Sequence, residues 1–201
     1  MKTAWTMAAC ALALALSGCA ADGARPEPVP GEVSLDREDT DGKRHDLEGA
    51  LARGETVAFV FWQTWCESCA EEAPLIKAAA AQEQGKIHFV GVVPGKAETV
   101  DEAEVEQVRA RWGYDFPQLR DADMSLTKAL GVKGTPTIVV LGSERTVLYH
   151  AHRPPADWAS LRGKSFAASD EPGAELSQPD LGGQGAGAEC KDGVCPLPAN
   201  E

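Results

Sequence analysis

The sequence predicts an α/β sandwich built around a mixed β-sheet. Two charge-free, β-branched runs in residues 32–164 are each followed by a helix-like segment, and the region closes on two apolar runs joined by a four-residue turn. Apolar runs without charge suit strands covered on both faces. Two strands about four residues apart read as a hairpin. Strand, helix, strand, helix and then a hairpin is the order of a sheet flanked by helices.

The first run, TVAFVFWQ at 56–63, is β-branched and aromatic and reads as a central strand. A helix is expected from Cys66 through AAAAQEQ, ending near Gly85, and KIHFVGVV at 86–93 is the second strand. Residues 99–112 form the next helix: Thr99 with Glu102 has capping-box spacing, Val105, Val108 and Trp112 share a face, and Gly113 stops it. A short helix is expected at 125–130, closed by Gly131. TIVVL at 137–141, the turn GSER and TVLYHA at 146–151 make the hairpin, and a last helix is expected around 155–162.

The flanking segments are of another kind. Residues 1–18 run from Lys2 through an apolar stretch to small residues, the order of an export signal. That stretch is short of the roughly 20 apolar residues that span a bilayer. LSGC at 16–19 resembles the bacterial lipobox, which makes Cys19 the lipidated residue, and Ala20 after it resembles the outer-membrane sorting pattern of Gram-negative bacteria. Residues 19–31 then form a Pro-rich tether. Residues 165–201 are rich in Gly, Pro and acid, with few aliphatic residues, and are expected to be disordered. The formal net charge of −12 makes nucleic acid a poor partner, so membrane attachment falls to the lipid.

Six cysteines are present. Cys10 leaves with the signal and Cys19 is the anchor, so two local pairs remain, Cys66/Cys69 and Cys190/Cys195. An exported chain can keep both oxidised. Cys66 lies where a buried strand passes into a helix, and the unpaired N–H groups there stabilise a thiolate. Cys69, one turn on, is placed to attack a mixed disulfide formed by Cys66. A static bridge across one turn closes too short a loop to add much stability. Zinc normally needs a second CxxC or a suitably spaced His pair, so neither metal nor cofactor is expected.

With FVFWQTWCESC, Pro74 five residues after Cys69, YDFPQLRD at 114–121 and GVKGTPT at 131–137, the chain resembles the thioredoxin superfamily, and within it the TlpA/ResA-like thiol-disulfide oxidoreductases. The resemblance covers roughly residues 33–163. It implies a thioredoxin-like fold with the extra segment typical of that branch. It also implies a docking role for Trp65, with Trp62 in the core, and a cis-proline loop at Thr135-Pro136 beside the sulfurs. Glu72 matches a glutamate near the couple in some ResA-like members, where a partly buried carboxyl raises thiol pKa values or passes protons; a solvated helix carboxylate is the alternative. Two departures stand out. Glu67-Ser68 lacks the proline of many relatives, and Val60 stands where thioredoxin has a buried aspartate.

The reading that results is a lipid-anchored, periplasm-facing enzyme reducing disulfides in exported proteins, fed by a thiol electron donor the sequence does not name. An oxidase or isomerase is the alternative within enzymes. A copper-handling protein using Cys and His ligands is the alternative from another class. His150 and His152 read as strand residues that can bind metal or simply face solvent. Cys190 and Cys195 read as a second redox pair, an inert closed loop or a soft-metal site, and the sequence leaves these open.

Overall fold

The computed structural model describes residues 29, 31–163, 190–191 and 193–198. The export signal, Cys19, most of the tether and residues 165–189 lie outside the described residues.

The domain begins with α1 (Leu47–Ala52), capped by the Asp46 carboxylate, which accepts from Gly49 N–H. Then come β1 (Thr56–Phe61), α2 (Glu67–Gln82), β2 (Ile87–Pro94), α3 (Glu102–Trp112), β3 (Gln118–Asp121) and α4 (Ser125–Ala129). The two-residue β4 (Gly134–Thr135), β5 (Thr137–Leu141) and β6 (Val147–Ala151) complete the body, and β7 (Cys195–Pro196) comes from the tail. The main sheet has the order β3-β2-β1-β5-β6. The β1/β2 and β2/β3 pairs are parallel, while β5 runs antiparallel to both β1 and β6, so the sheet is mixed as expected.

Every residue of β1 is buried, because the sheet is covered on both faces. Side chains alternate along a strand. Ala58, Val60 and Trp62 therefore enter one core with Ala73 and Ile76 of α2 and Val105 and Val108 of α3. Val57, Phe59 and Phe61 enter the other with Leu47, Ala50 and Leu51 of α1, and with Leu126 and Leu130.

Several local expectations change. Asp101, not Thr99, caps α3, accepting from Ala103 N–H, because the Thr99 hydroxyl already donates to Lys96 O in the preceding turn. Gly113 does end α3, at φ 64°. The helix expected at 155–162 is only a 3₁₀ turn at Ala159–Leu161; the residue before a proline is disfavoured in the helical region, which keeps the chain through Pro154-Pro155 extended, and the Asp157 carboxylate accepts from Ala159 N–H just ahead of the turn. Val29 is buried in the second core, with its N–H on Arg145 O, so the packed domain begins inside the expected tether. Of the expected disordered tail, residues 190–191 and 193–198 are described, and Cys195 and Pro196 pair with the body.

Candidate functional site

The site forms where β1 passes into α2. Trp62 continues β1 by donating its N–H to Val92 O, and its indole Nε1–H donates to Gln118 Oε1 at 2.9 Å. Gly91 makes that bond possible: a Cβ there would fall 1.9 Å from Gln118 Oε1. Trp62 is fully buried, whereas Trp65 is partly buried against the first core and borders an open hollow with Val100, Asp101, Glu102 and Glu104.

Cys66 is the N-cap of α2 and its Sγ accepts from Cys69 N–H at 3.1 Å. The two cysteines form a disulfide, with Cα atoms 5.1 Å apart. The helix N-terminus behind Cys66 presents unpaired N–H groups to its sulfur and favours the thiolate once the bond is reduced. The N-terminal half of α2 adds Glu72, whose side chain is 14% exposed and lies 3.8 Å from Arg153. Burial first, and then the Glu72 charge, push the Tyr114 and Tyr149 hydroxyls above their usual range. Tyr114 packs edge-on to Trp62. Val60 is buried, so the first core has no carboxylate at that position.

The loop opposite holds Thr135 and Pro136, both buried and joined by a cis peptide bond. Thr137 Oγ1 donates to Gly134 O at 2.7 Å. His152 Nδ1 lies 2.8 Å from Pro136 O and 3.0 Å from Thr137 Oγ1. A carbonyl accepts only, so Nδ1 carries the proton and shares it between the two oxygens. This clamp escaped the sequence reading, in which His152 belonged to a strand. The strand ends at Ala151, and one residue more carries the imidazole to the loop. The Thr135 hydroxyl, by contrast, is buried without a hydrogen-bond partner among the described residues.

The second cysteine pair lies at the same place. Cys190 and Cys195 form a disulfide, and Cys195 pairs antiparallel with Thr135. Ser68 Oγ lies 3.8 Å from Cys66 Sγ and 3.6 Å from Cys195 Sγ. With this segment docked, Cys66 is 1% exposed and Cys195 0%. Both pairs are disulfides in this structure. Among the described residues, no three His, Cys, Asp or Glu side chains are grouped to hold a metal ion.

Chemically, this arrangement can exchange a disulfide: an N-cap sulfur, a partner one turn away, and an extended loop alongside to pair with a peptide. The Redoxin family model matches residues 25–161. The thiol-disulfide oxidoreductase ResA of Bacillus subtilis (strain 168) is 31% identical over 113 residues, covering 55% of this chain and 59% of that one. The soluble secreted antigen MPT53 of Mycobacterium tuberculosis (strain ATCC 25618 / H37Rv) is 27% identical over 100 residues, 50% of this chain and 55% of the relative. The chain thus spans a little over half the length of these curated relatives. Among solved structures, a thiol:disulfide interchange protein of the thioredoxin family from Chlorobium tepidum TLS superposes with a TM-score of 0.55 at 23% identity, over 69% of this chain and 94% of that one.

Proposed function

This chain belongs to the redoxin family, and on that premise we propose that it is a thiol-disulfide oxidoreductase that reduces disulfides in exported proteins. The observation that carries the reading is the Cys66–Cys69 disulfide at the N-terminus of α2, joined to the cis Thr135-Pro136 loop through Cys195, which pairs with Thr135 and lies 3.6 Å from Ser68 Oγ. In the reduced enzyme, the Cys66 thiolate attacks one sulfur of a substrate disulfide, and the substrate's other sulfur leaves as a thiolate. Cys69 then attacks Cys66 Sγ, which re-forms the internal disulfide and releases the second substrate sulfur. The substrate backbone lies along Thr135, and Trp65 bounds the docking face. Glu72 serves the proton movements of the couple through its partly buried carboxyl. An unidentified thiol donor restores the dithiol.

An extracytoplasmic setting fits both the export-type leader and the secreted relative MPT53. The LSGC motif supports lipid attachment at Cys19, facing the periplasm and on the outer membrane in a Gram-negative host. The test is insulin reduction with a dithiol donor. Wild-type chain should catalyse it, Cys66→Ser should bring the rate to background, and catalysis that survives Cys66→Ser would overturn the assignment.

A further inference from the structure

The geometry points to Cys190/Cys195 as a second redox centre that exchanges directly with Cys66 through Cys195, its segment docking as a tethered substrate. This rests on the reading of Cys66 as nucleophile.

Three observations converge. First, the segment occupies the loop that would receive a substrate: Thr135 pairs with Cys195 and Gly134 with Pro196, in antiparallel register. Strand addition of this kind uses main-chain hydrogen bonds for affinity. Second, the body is shaped to admit it. A Cβ on Gly134 would lie 2.4 Å from Val194 Cγ1 and 2.9 Å from Cys195 O. A Cβ on Gly95 would lie 2.6 Å from Pro198 Cγ. Third, the right sulfur faces the couple. Ser68 Oγ touches both Cys66 Sγ and Cys195 Sγ, while Lys191 and Val194 exchange backbone hydrogen bonds that close the disulfide loop into a tight turn. An inert loop needs none of these features.

The exchange begins with Cys66 and Cys69 reduced by the donor dithiol. The Cys66 thiolate attacks Cys195 Sγ; the Cys66–Cys195 bond forms, the Cys190–Cys195 bond breaks, and Cys190 leaves as a thiolate that takes a proton from solvent. Cys69 gives up its proton and attacks Cys66 Sγ, re-forming Cys66–Cys69 and expelling the Cys195 thiolate, which is protonated in turn. Two electrons pass from the helix couple to the tail couple. The reduced tail then passes them to an external disulfide, a route that operates while the docked tail covers Cys66; when the tail leaves the Thr135 loop, Cys66 meets an external disulfide directly.

The test is a disulfide trap in the full chain. Of the four cysteines from Cys66 onward, Cys69→Ser with Cys190→Ser leaves Cys66 and Cys195; on oxidation with glutathione disulfide, peptide mapping should find a Cys66–Cys195 bond. Its rate should be independent of protein dilution and at least about tenfold above that of Cys66–Cys190 in Cys69→Ser with Cys195→Ser. Equal rates, or glutathione adducts alone, would overturn the proposal. A measurement that keeps the tail intact guards against misfolding of the double variants. Reduction of Cys190–Cys195 by limiting dithiothreitol should slow at least about tenfold in Cys66→Ser, and an unchanged rate would likewise overturn it. Insulin reduction without the trap sinks the relay alone. The trap without insulin reduction upholds the relay and sinks only the assignment to external substrates.

Discussion

Replacing Gly91 by alanine should destabilise the fold by about 2–5 kcal/mol, a large cost for one methyl group. Gly91 lies in β2 outside the left-handed region, so its backbone tolerates a side chain. The cost comes from Gln118, which is fully buried and has its carboxamide within 2.7 Å of the new Cβ at all three heavy atoms. That carboxamide cannot swing away freely. Its Oε1 accepts from Trp62 Nε1 at 2.9 Å and its Nε2 donates to Phe116 O at 2.9 Å. Displacing it strands buried polar groups at about 1–3 kcal/mol each. Equilibrium urea unfolding of Gly91→Ala, Gln118→Ala and the double variant reads the effect. In the Gln118→Ala background the added methyl enters vacated space, and its cost should fall below about 1 kcal/mol. Additive costs, or a Gly91→Ala cost already below about 1 kcal/mol, would refute this account of how Trp62 anchors the turn leading to Cys66.

Three further outcomes are expected. Arg162 beside Glu83 holds that carboxyl below its usual value of 4.5. A depressed folded pKa means that the pair stabilises the fold above the unfolded value and is lost as pH falls through the folded one; melting temperatures below pH ~4.5 should therefore drop less steeply in Glu83→Gln than in wild type. His152→Ala removes the donor to Pro136 O and should cost about 0.5–1.5 kcal/mol locally, seen as faster amide exchange in 134–137 with little change in global unfolding. Glu72→Gln should move the acidic limb of the pH–rate profile for alkylation of Cys66 to lower pH, because a nearby negative charge disfavours the thiolate; an unmoved profile would make Glu72 an ordinary helix carboxylate.

The central strands were legible because burial on both faces demands charge-free runs of β-branched and aromatic residues, which fill 56–61 and 137–141 apart from Ala58 and Leu141. The couple was legible because a CxxC that follows a buried strand puts one sulfur at a helix N-terminus and the other a turn behind it, and the GTPT motif supplied the opposing loop. Short elements were not. α1 has six residues with three buried, and β3 has four, one of them Arg120, too few to show a period. The docked tail was misread for a different reason. Composition reports whether a segment can build its own core, but the described tail residues, 190–191 and 193–198, borrow one. They are held by a two-residue backbone pairing, their own disulfide and space left by Gly134 and Gly95. Glycines that make room for a partner look in sequence like turn residues.

The most direct measurement of the central claim is the reduction potential of Cys66/Cys69, in a chain with Cys190 and Cys195 replaced by serine so that one couple titrates. A reductase should equilibrate near the potential of thioredoxin, about −270 mV or lower. A value near −120 mV, that of strongly oxidising members of the fold, would contradict the reductive reading and turn attention to Glu67-Ser68.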